Sequence, residues 1–468
     1  MYQMRMNSIF FILVLFSGQL AAQTKEIRQI DSLMQTAYRR GVFNGNILVV
    51  QHNKTIYEKS FGFANGNKTI PLKKENKFDI GSISKEFNGA AIMVLEEQGK
   101  LSLEDNLRRF FPEFPDWADQ VKIKHLINYT SGIPVLGPAA DGTDSLIYQS
   151  LLSLKSLSAA PGTVYIYNHI NVSLQRRIIE KLSGLSYAEF VKRYLFKPAG
   201  MKNAIVDYPV TAKGMARAFD NEGNDVPYLQ ATNGWVRLPV EDLYKWIRAL
   251  HAHKIINAIS LKKLGENFPG GESSLGTAVF SKDSLLWHQH QGSNSNYEAA
   301  FYSQADDNIT IVMMTNNQQM KVWPIKTAIL NILKEEPFII PKKSLYLSIR
   351  DKVLSNVEEG MNYYKTLKVT GTEDYDFSFE IGDLISTGKY LLRRDKFDAA
   401  ITVFQTAVEL KAKEQDISYG YELLGDTYRK KGDKPAAIAS YSKALSIFPG
   451  NKNAAGVLKE LTEKSGEQ

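Results

Sequence analysis

Cysteine is absent from all 468 residues. Disulfides, thiolate zinc sites, a cysteine nucleophile and cysteine-linked haem or lipid are thereby excluded. No run of five or more Lys/Arg occurs, and the 57 basic and 50 acidic residues leave a net charge of +7 spread along the chain. Scattered charge of this kind reads as a solvated surface, not as a nucleic-acid footprint. Neither Gly-x-x-x-x-Gly-Lys-Ser/Thr nor a strand-linked Gly-x-Gly-x-x-Gly is present, so a phosphate cradle has no support. Glycine (32) and proline (16) are too few for a collagen-like chain, and 44% hydrophobic content excludes a disordered one. Beyond the N-terminus no apolar stretch approaches the roughly 20 residues that a membrane span needs.

What is present begins at that N-terminus. Arg5 precedes the apolar run Ile9–Phe16, which is followed by Ser17-Gly18 and the small pair Ala21-Ala22. A basic start, a short apolar core and small residues before a polar segment describe a secretory signal peptide over residues 1–23, with a retained anchor as the alternative. The mature chain is expected to start near Gln23 or Thr24 and to be exported, periplasmic or extracellular, with no retained membrane span.

The C-terminal part repeats itself. Gly388, Ala400, Phe404 and Ala407 recur as Gly425, Ala437, Tyr441 and Ala444, each offset by the same interval. Small residues at fixed points let two antiparallel helices approach, and aromatic residues fill the space between neighbouring hairpins. The second copy, Tyr421-x-x-Leu424-Gly425-x-x-Tyr428 through Pro449, resembles the tetratricopeptide repeat over nearly its whole pattern. The first copy lacks the glycine expected near Asp395. A helix around residues 453–464 is expected to cap the pair, and two repeats are expected to lean on a neighbouring helix or on the main domain. The resemblance implies either a platform for a protein or peptide partner or a structural appendage.

Residues 24–338 form one block. Ile27, Ile30, Met34 and Tyr38 fall at helical spacing, and residues 46–52 and 54–63 alternate as two strands turning near Asn53. Helical periods recur at 84–99, 170–183, 186–196 and 239–252, and late strands at 298–303 and 308–315 precede a helix over 322–334. Strands at both ends with helices between them predict an α+β fold, in which one antiparallel sheet is assembled from both termini and flanked by helices. Residues 339–380 read as a linker with a helix around 346–365, and 381–468 as the repeats with their capping helix.

Without cysteine, covalent catalysis falls to Ser, Thr, Lys or carboxylates. In Gly81-Ser82-Ile83-Ser84-Lys85 a helix starting at Ser82 puts Lys85 one turn on and on the same face. A neighbouring cation and the unpaired N–H groups of a helix start both favour an alkoxide. Spacing alone does not select this pair, because Ser-x-x-Lys also occurs at Ser260, Ser386 and Ser440. The order of further landmarks does select it. His125-Leu-Ile-Asn-Tyr-Thr-Ser-Gly132-Ile-Pro134 follows, then Pro161-Gly162-Thr163 with Tyr167-Asn168-His169, then His290-Gln291-Gly292 before a strand. Together these resemble the serine β-lactamase and penicillin-binding superfamily, in the branch of class C β-lactamases, D-Ala-D-Ala carboxypeptidases and related esterases.

The resemblance implies an antiparallel sheet flanked by helices with an inserted helical region, and a serine hydrolase working through an acyl-enzyme. Ser82 matches the nucleophile, Lys85 the group that helps deprotonate it, and Tyr167 the tyrosine of the Tyr-x-Asn motif, which shuttles a proton to the leaving group. His290 matches the first position of the Lys-Thr-Gly or His-x-Gly motif, completed by Gly292. The backbone N–H groups of Ser82 and Ser293 match the oxyanion hole. Three positions depart from the pattern. His169 stands where the motif has Asn, with Asn168 one place early. Asn233-Gly234-Trp235-Val236-Arg237-Leu238 replaces a Gly-Gly-x-x-Ser-Thr segment, and Asn296 precedes Tyr297 where a smaller residue is expected. His169, Gly292 and Ser293 are the expected substrate-binding positions. The substrate the resemblance implies is a small molecule or peptide carrying a peptide, amide, ester or β-lactam carbonyl. The altered third position also motivates an alternative, an inactive hydrolase fold that presents the repeats as a scaffold. No cofactor is implied. His288-x-His290 share a strand face, but no third ligand is placed to complete a catalytic zinc site, and no metal is assigned.

Overall fold

The computed structural model describes residues 24–135, 143–207, 213–227, 234–305 and 308–463. The expected signal peptide and Asn233 lie outside the described residues. Helix α1 (Lys25–Arg39) begins with Thr24, whose side chain accepts from the Ile27 N–H, and buries Ile30, Leu33, Met34 and Ala37 along one face. Strands β1 (Gly45–Gln51) and β2 (Lys54–Phe61) form a hairpin across His52 and Asn53. Both turn residues have positive φ, 49° and 62°, the geometry that matches the twist of a two-residue hairpin. Strand β3 (Phe78–Asp79) leads into a single 3-10 turn, Gly81–Ile83, and directly into α2 (Ser84–Glu97). Every residue of α2 from Ser84 to Leu95 is buried, so this helix runs through the middle of the domain.

Helix α3 (His169–Ser183) packs beside α2. Strands β4 (Ile205–Val206) and β5 (Val236–Leu238) join β3 in a three-stranded sheet with β5 at its centre. Helix α4 (Val240–His251) then precedes strands β6 (Thr277–Ser281), β7 (Ser284–Asn294), β8 (Tyr297–Gln304) and β9 (Ile309–Thr315). The main sheet has the order β2-β1-β9-β8-β7-β6, antiparallel at every pair. The first and last strands of the domain thus lie side by side, as the placement of strands at both ends predicts. Helix α5 (Val322–Leu333) joins α1 over one face, where Ile47, Val49, Ile311 and Met313 meet Ile30, Leu33, Ile325 and Ile329. Leu48, Val50, Val312 and Met314 belong to the larger core on the other face, around α2. Because both faces are covered, β1 and β9 read as continuous apolar runs.

After the main domain, β10 (Lys343–Ser344) precedes α6 (Leu345–Ser355) and α7 (Val357–Thr370), and pairs in parallel with β11 (Tyr375–Asp376). The single helix expected around 346–365 is therefore two. Asn356 is the cause: it sits in extended conformation (φ −150°, ψ 115°), and its side chain accepts from the Glu359 N–H to start α7. Two helical hairpins follow, α8 (Glu380–Leu392) with α9 (Phe397–Val408) and α10 (Glu414–Lys431) with α11 (Lys434–Ile447), and α12 (Lys452–Glu463) comes last. The repeated glycines mark the closest approaches. A Cβ on Gly388 would run into the Phe404 ring, and one on Gly425 would lie 2.7 Å from the Tyr441 ring. The first hairpin shares its core with α6 and α7, through Leu345, Ile349, Val353 and Tyr364. Two repeats are fewer than usually stand alone, and these lean on the preceding helices.

Candidate active site

The serine turn is fixed from behind. Asp79 at the end of β3 accepts from the Gly81 N–H at 2.8 Å and pairs with Arg237 of β5 at 3.3 Å, both side chains being fully buried. Gly81 takes φ +52°, a left-handed conformation that turns the chain sharply into the helix. The Val236 N–H donates to Ser84 Oγ at 2.9 Å, which ties the start of α2 to the same small sheet. Ser82 consequently sits half-exposed at the head of a buried helix. Lys85, one turn on, donates from Nζ to Ser82 Oγ at 3.0 Å.

Tyr167 arrives from a segment with little regular structure, held by backbone bonds. Ile166 N–H donates to Tyr129 O, Gly162 N–H to Thr130 O and Ser158 N–H to Gly132 O, each at 2.8 Å. The stretch from His125 to Pro134 is thus the shelf on which the tyrosine segment rests. Gly132 has φ +72°, and a Cβ there would run into the Ala159 carbonyl. Tyr129, fully buried, lays its ring 4.9 Å from that of Tyr167. The Tyr167 hydroxyl donates to Ser82 Oγ at 2.7 Å. Ser82 is therefore within hydrogen-bond reach of both Lys85 and Tyr167.

Burial sets the charges of this trio. It lowers Lys85 to about 7, against the smaller opposing pull of the Glu272 and Asp79 carboxylates. A lysine titrating there is a substantial fraction neutral amine at neutral pH. Tyr167 moves the other way: desolvation pushes its phenol up to about 12, despite the Ser82 bond, so it keeps its proton. The residue as a whole is 36% exposed. Of the two neighbours of Ser82, Lys85 is the one able to accept a proton near pH 7.

Strand β7 closes the other side. A Cβ on Gly292 would lie 2.6 Å from the Ser82 N, and one on Gly81 would strike the Ser293 N. Only glycines at both positions let the two backbones pack so that the N–H groups of Ser82 and Ser293 lie near each other. His290, two residues before Gly292, is buried and meets Glu86 through Nδ1 at 2.9 Å. Trp246 of α4 donates to the other Glu86 oxygen at 2.8 Å. Among the described residues His290 makes no hydrogen bond to Ser82, Lys85 or Tyr167. Its partner is the carboxylate next to Lys85 on α2, so it fastens β7 to that helix.

Asn168 and His169 sit in different surroundings. Asn168 is the N-cap of α3: its Oδ1 accepts from the Asn171 N–H at 3.2 Å, and its Nδ2 donates to Ile133 O at 3.0 Å. His169 is left exposed at the cleft, with its ring 5.7 Å from that of Trp235. The surrounding walls, and then the Lys85 charge, hold its imidazole below the ordinary value, so it is neutral at pH 7. Trp235 also lies over Lys85, its ring centroid 5.5 Å from Nζ. Lys85, His169, Trp235 and the Asp144–Arg176 pair wall a cavity of about 20 Å³, room for one water.

Sequence patterns alone do not single out Glu86, Trp246 or Glu272. Glu272 lies in a loop without periodicity, and its charge acts on both Lys85 and Tyr167. The other strand histidine, His288, turns to His251 of α4 at 3.2 Å.

The Beta-lactamase family profile matches residues 27–330, and a Tetratricopeptide repeat profile matches 419–451, the second of the two copies. Penicillin-binding protein 4* of Bacillus subtilis is 27% identical over 355 residues, which cover 68% of this chain and 78% of that protein. Among solved structures, the octameric penicillin-binding protein homologue from Pyrococcus abyssi superposes with a TM-score of 0.57 at 23% identity, covering 71% of this chain and 82% of that one. A class C β-lactamase gives 0.57 at 19% identity, covering 66% and 96%.

Proposed function

Because the chain belongs to the Beta-lactamase family of serine hydrolases, we propose that it cleaves an acyl bond through a covalent intermediate on Ser82. The observation that carries this reading is the pair of contacts on Ser82 Oγ, 3.0 Å to Lys85 Nζ and 2.7 Å to the Tyr167 hydroxyl. Neutral Lys85 takes the Ser82 proton as Oγ bonds to the substrate carbonyl carbon. The resulting oxyanion is held by the N–H groups of Ser82 and Ser293. The Lys85 ammonium returns its proton, through the Tyr167 hydroxyl, to the leaving group as the acyl bond breaks. A water then attacks the ester carbonyl and passes its proton through Tyr167 to Lys85, and Lys85 delivers that proton to Ser82 Oγ as the acid leaves.

His169, Gly292 and Ser293 form the substrate-facing edge, with the neutral imidazole of His169 donating to the acyl side of the substrate. His290 serves as a positioning residue through Glu86. The substrate class is a peptide, amide, ester or β-lactam carbonyl. We assign residues 24–338 to the hydrolase domain, 339–380 to the connection and 381–468 to the repeats, and take the protein to be exported after loss of residues 1–23. Among the described residues no helix is long and apolar enough to cross a membrane.

Intact-mass measurement after exposure to a fluorophosphonate, benzylpenicillin and a p-nitrophenyl ester tests the reading. A covalent adduct is expected on the wild type and not on Ser82→Ala, with acylation slowed roughly 10²–10⁴-fold in Tyr167→Phe. Absence of any adduct on the wild type would favour an inactive scaffold carrying the repeats, which the replacement of the motif Asn by His169 motivates.

A further inference from the structure

Strand β7 is gripped on both faces. On the face toward α2, His290 is held by Glu86 and Gly292 abuts Ser82. On the opposite face Gln289 accepts from Lys326 of α5 at 3.1 Å, and Gln291 donates from Nε2 to Glu298 Oε1 at 2.9 Å. Glu298 is fully buried, lies on β8, and is the register partner of Ser293. A carboxylate in such a place needs its oxygens satisfied. Its second oxygen accepts from the Met320 N–H at 3.0 Å, and the Lys321 N–H points to it as well. These N–H groups belong to the turn that enters α5, whose N-cap Lys321 offers no side-chain cap of its own. Glu298 therefore ties the turn that enters α5 to the sheet while holding the middle residue of His290-Gln291-Gly292.

The same N-cap residue reaches the C-terminal helices. Lys321 Nζ pairs with Asp376 of β11 at 3.2 Å, and the lysine side chain is only 12% exposed. Asp376 in turn accepts from the Ser378 N–H at 3.1 Å and hydroxyl at 2.6 Å, two residues before α8 begins. One line of hydrogen bonds and ion pairs thus runs from Ser378, two residues before the first repeat helix, through Asp376, Lys321 and Glu298 to Gln291.

We propose that Glu298 is a positioning residue for the oxyanion strand, and that the Lys321–Asp376 pair makes the C-terminal helical segment part of its support. Loosening the segment at Asp376 releases the start of α5, frees one oxygen of Glu298, and lets Gln291 and the paired Ser293 shift relative to Ser82. An occupant on the repeats that moves β11 would then change turnover without touching substrate. The catalytic consequence rests on the acyl-enzyme reading, whereas the mechanical link does not.

The experiment uses the full chain and the variants Asp376→Asn, Lys321→Met and Glu298→Gln, with two readouts. Hydrogen exchange of the peptide covering residues 286–295 reports the strand itself. Turnover of a p-nitrophenyl ester, with inhibition by phenylboronic acid as a tetrahedral mimic, reports the oxyanion site. Faster exchange is expected in all three variants. A fall in kcat of roughly tenfold with KM within about twofold, matched by weaker boronate inhibition, is also expected, because the oxyanion donors act on the transition state. Asp376 is partly exposed, so its variant stays informative if Glu298→Gln fails to fold. Unchanged exchange in Asp376→Asn and Lys321→Met overturns the proposal, as does faster exchange with unaltered kcat and boronate inhibition. Faster exchange in an enzyme whose wild type acylates nothing upholds the link and removes the hydrolase reading instead.

Discussion

Replacing Lys85 by Met is expected to make the folded protein more stable while abolishing acylation. Lys85 is fully buried and titrates at about 7 in place of 10.5. Every tenfold loss of proton affinity on folding corresponds to about 1.4 kcal/mol, so holding this amine in the fold costs about 4 kcal/mol at pH 7. Methionine has a similar length and no charge to desolvate. It forfeits the bond to Ser82, worth about 1 kcal/mol, but Ser82 keeps its partner in Tyr167. A net gain of about 2–3 kcal/mol should raise the melting temperature of the hydrolase domain by roughly 4–8 °C. The sign of the pH dependence is fixed as well. Between pH 7 and 10.5 the unfolded lysine binds more protons than the folded one, so wild-type stability rises with pH across that window. The gap between Lys85→Met and wild type is therefore widest at or below about pH 7 and closes by about pH 10.5. Differential scanning fluorimetry at about pH 7, 8.5 and 10, with ester acylation measured beside it, decides between these outcomes. A variant less stable than wild type, or a gap indifferent to pH, would refute the desolvation argument and with it the neutral-amine base.

Gly292→Ala puts a methyl 2.6 Å from the Ser82 N, so the strand must move away from the serine turn. Ester kcat should fall roughly 10²–10³-fold, and a fall of less than a few-fold would show that Ser293 is not an oxyanion donor. His288 is fully buried with its charge suppressed, first by burial and then by His251, so it binds fewer protons folded than unfolded. The wild type should lose stability relative to His288→Leu as pH falls below 6.5, and parallel melting curves from about pH 7 to 5 would contradict this. In the repeats, Gly425→Val drives a branched side chain into the Tyr441 ring and should cost about 1–3 kcal/mol. Only the helical segment should melt earlier, read by circular dichroism beside an unchanged rate of ester acylation at about 25 °C.

Features that depend on near neighbours are legible in the sequence. The Ser82–Lys85 contact needs only one helical turn, and the β1–β2 hairpin only alternation and a turn near Asn53. The repeat glycines declare themselves by recurring opposite aromatic residues in the following helix. Tyr167 stands 85 residues from Ser82, and only the resemblance links them. Glu86 and His290 are separated by 204 residues, and a carboxylate beside a lysine on a helix gives no sign that it will hold a histidine on a distant strand. The apolar period over 346–365 runs through Asn356 without a break, whereas the backbone there is extended, so periodicity alone reads one helix where there are two.

Asn168 shows where local chemistry reaches further than motif matching. Asn before a helical period is a strong N-cap signal, and a residue spent on capping cannot also face a substrate. That rule alone puts His169 at the first helical position. The same economy explains why so many polar groups are buried around one serine. Asp79 with Arg237, Glu86 with His290, and Glu298 with Gln291 each fix a different backbone segment, namely the serine turn, the start of α2 against β7, and the back of β7. Apolar contacts would fill that space at less cost in desolvation, but they do not specify direction as paired hydrogen bonds do. In the proposed acyl transfer two N–H groups and two side chains converge on one carbonyl, and small errors in their placement lose rate steeply. The large cores on both faces of the sheet supply the stability against which these buried polar contacts are set.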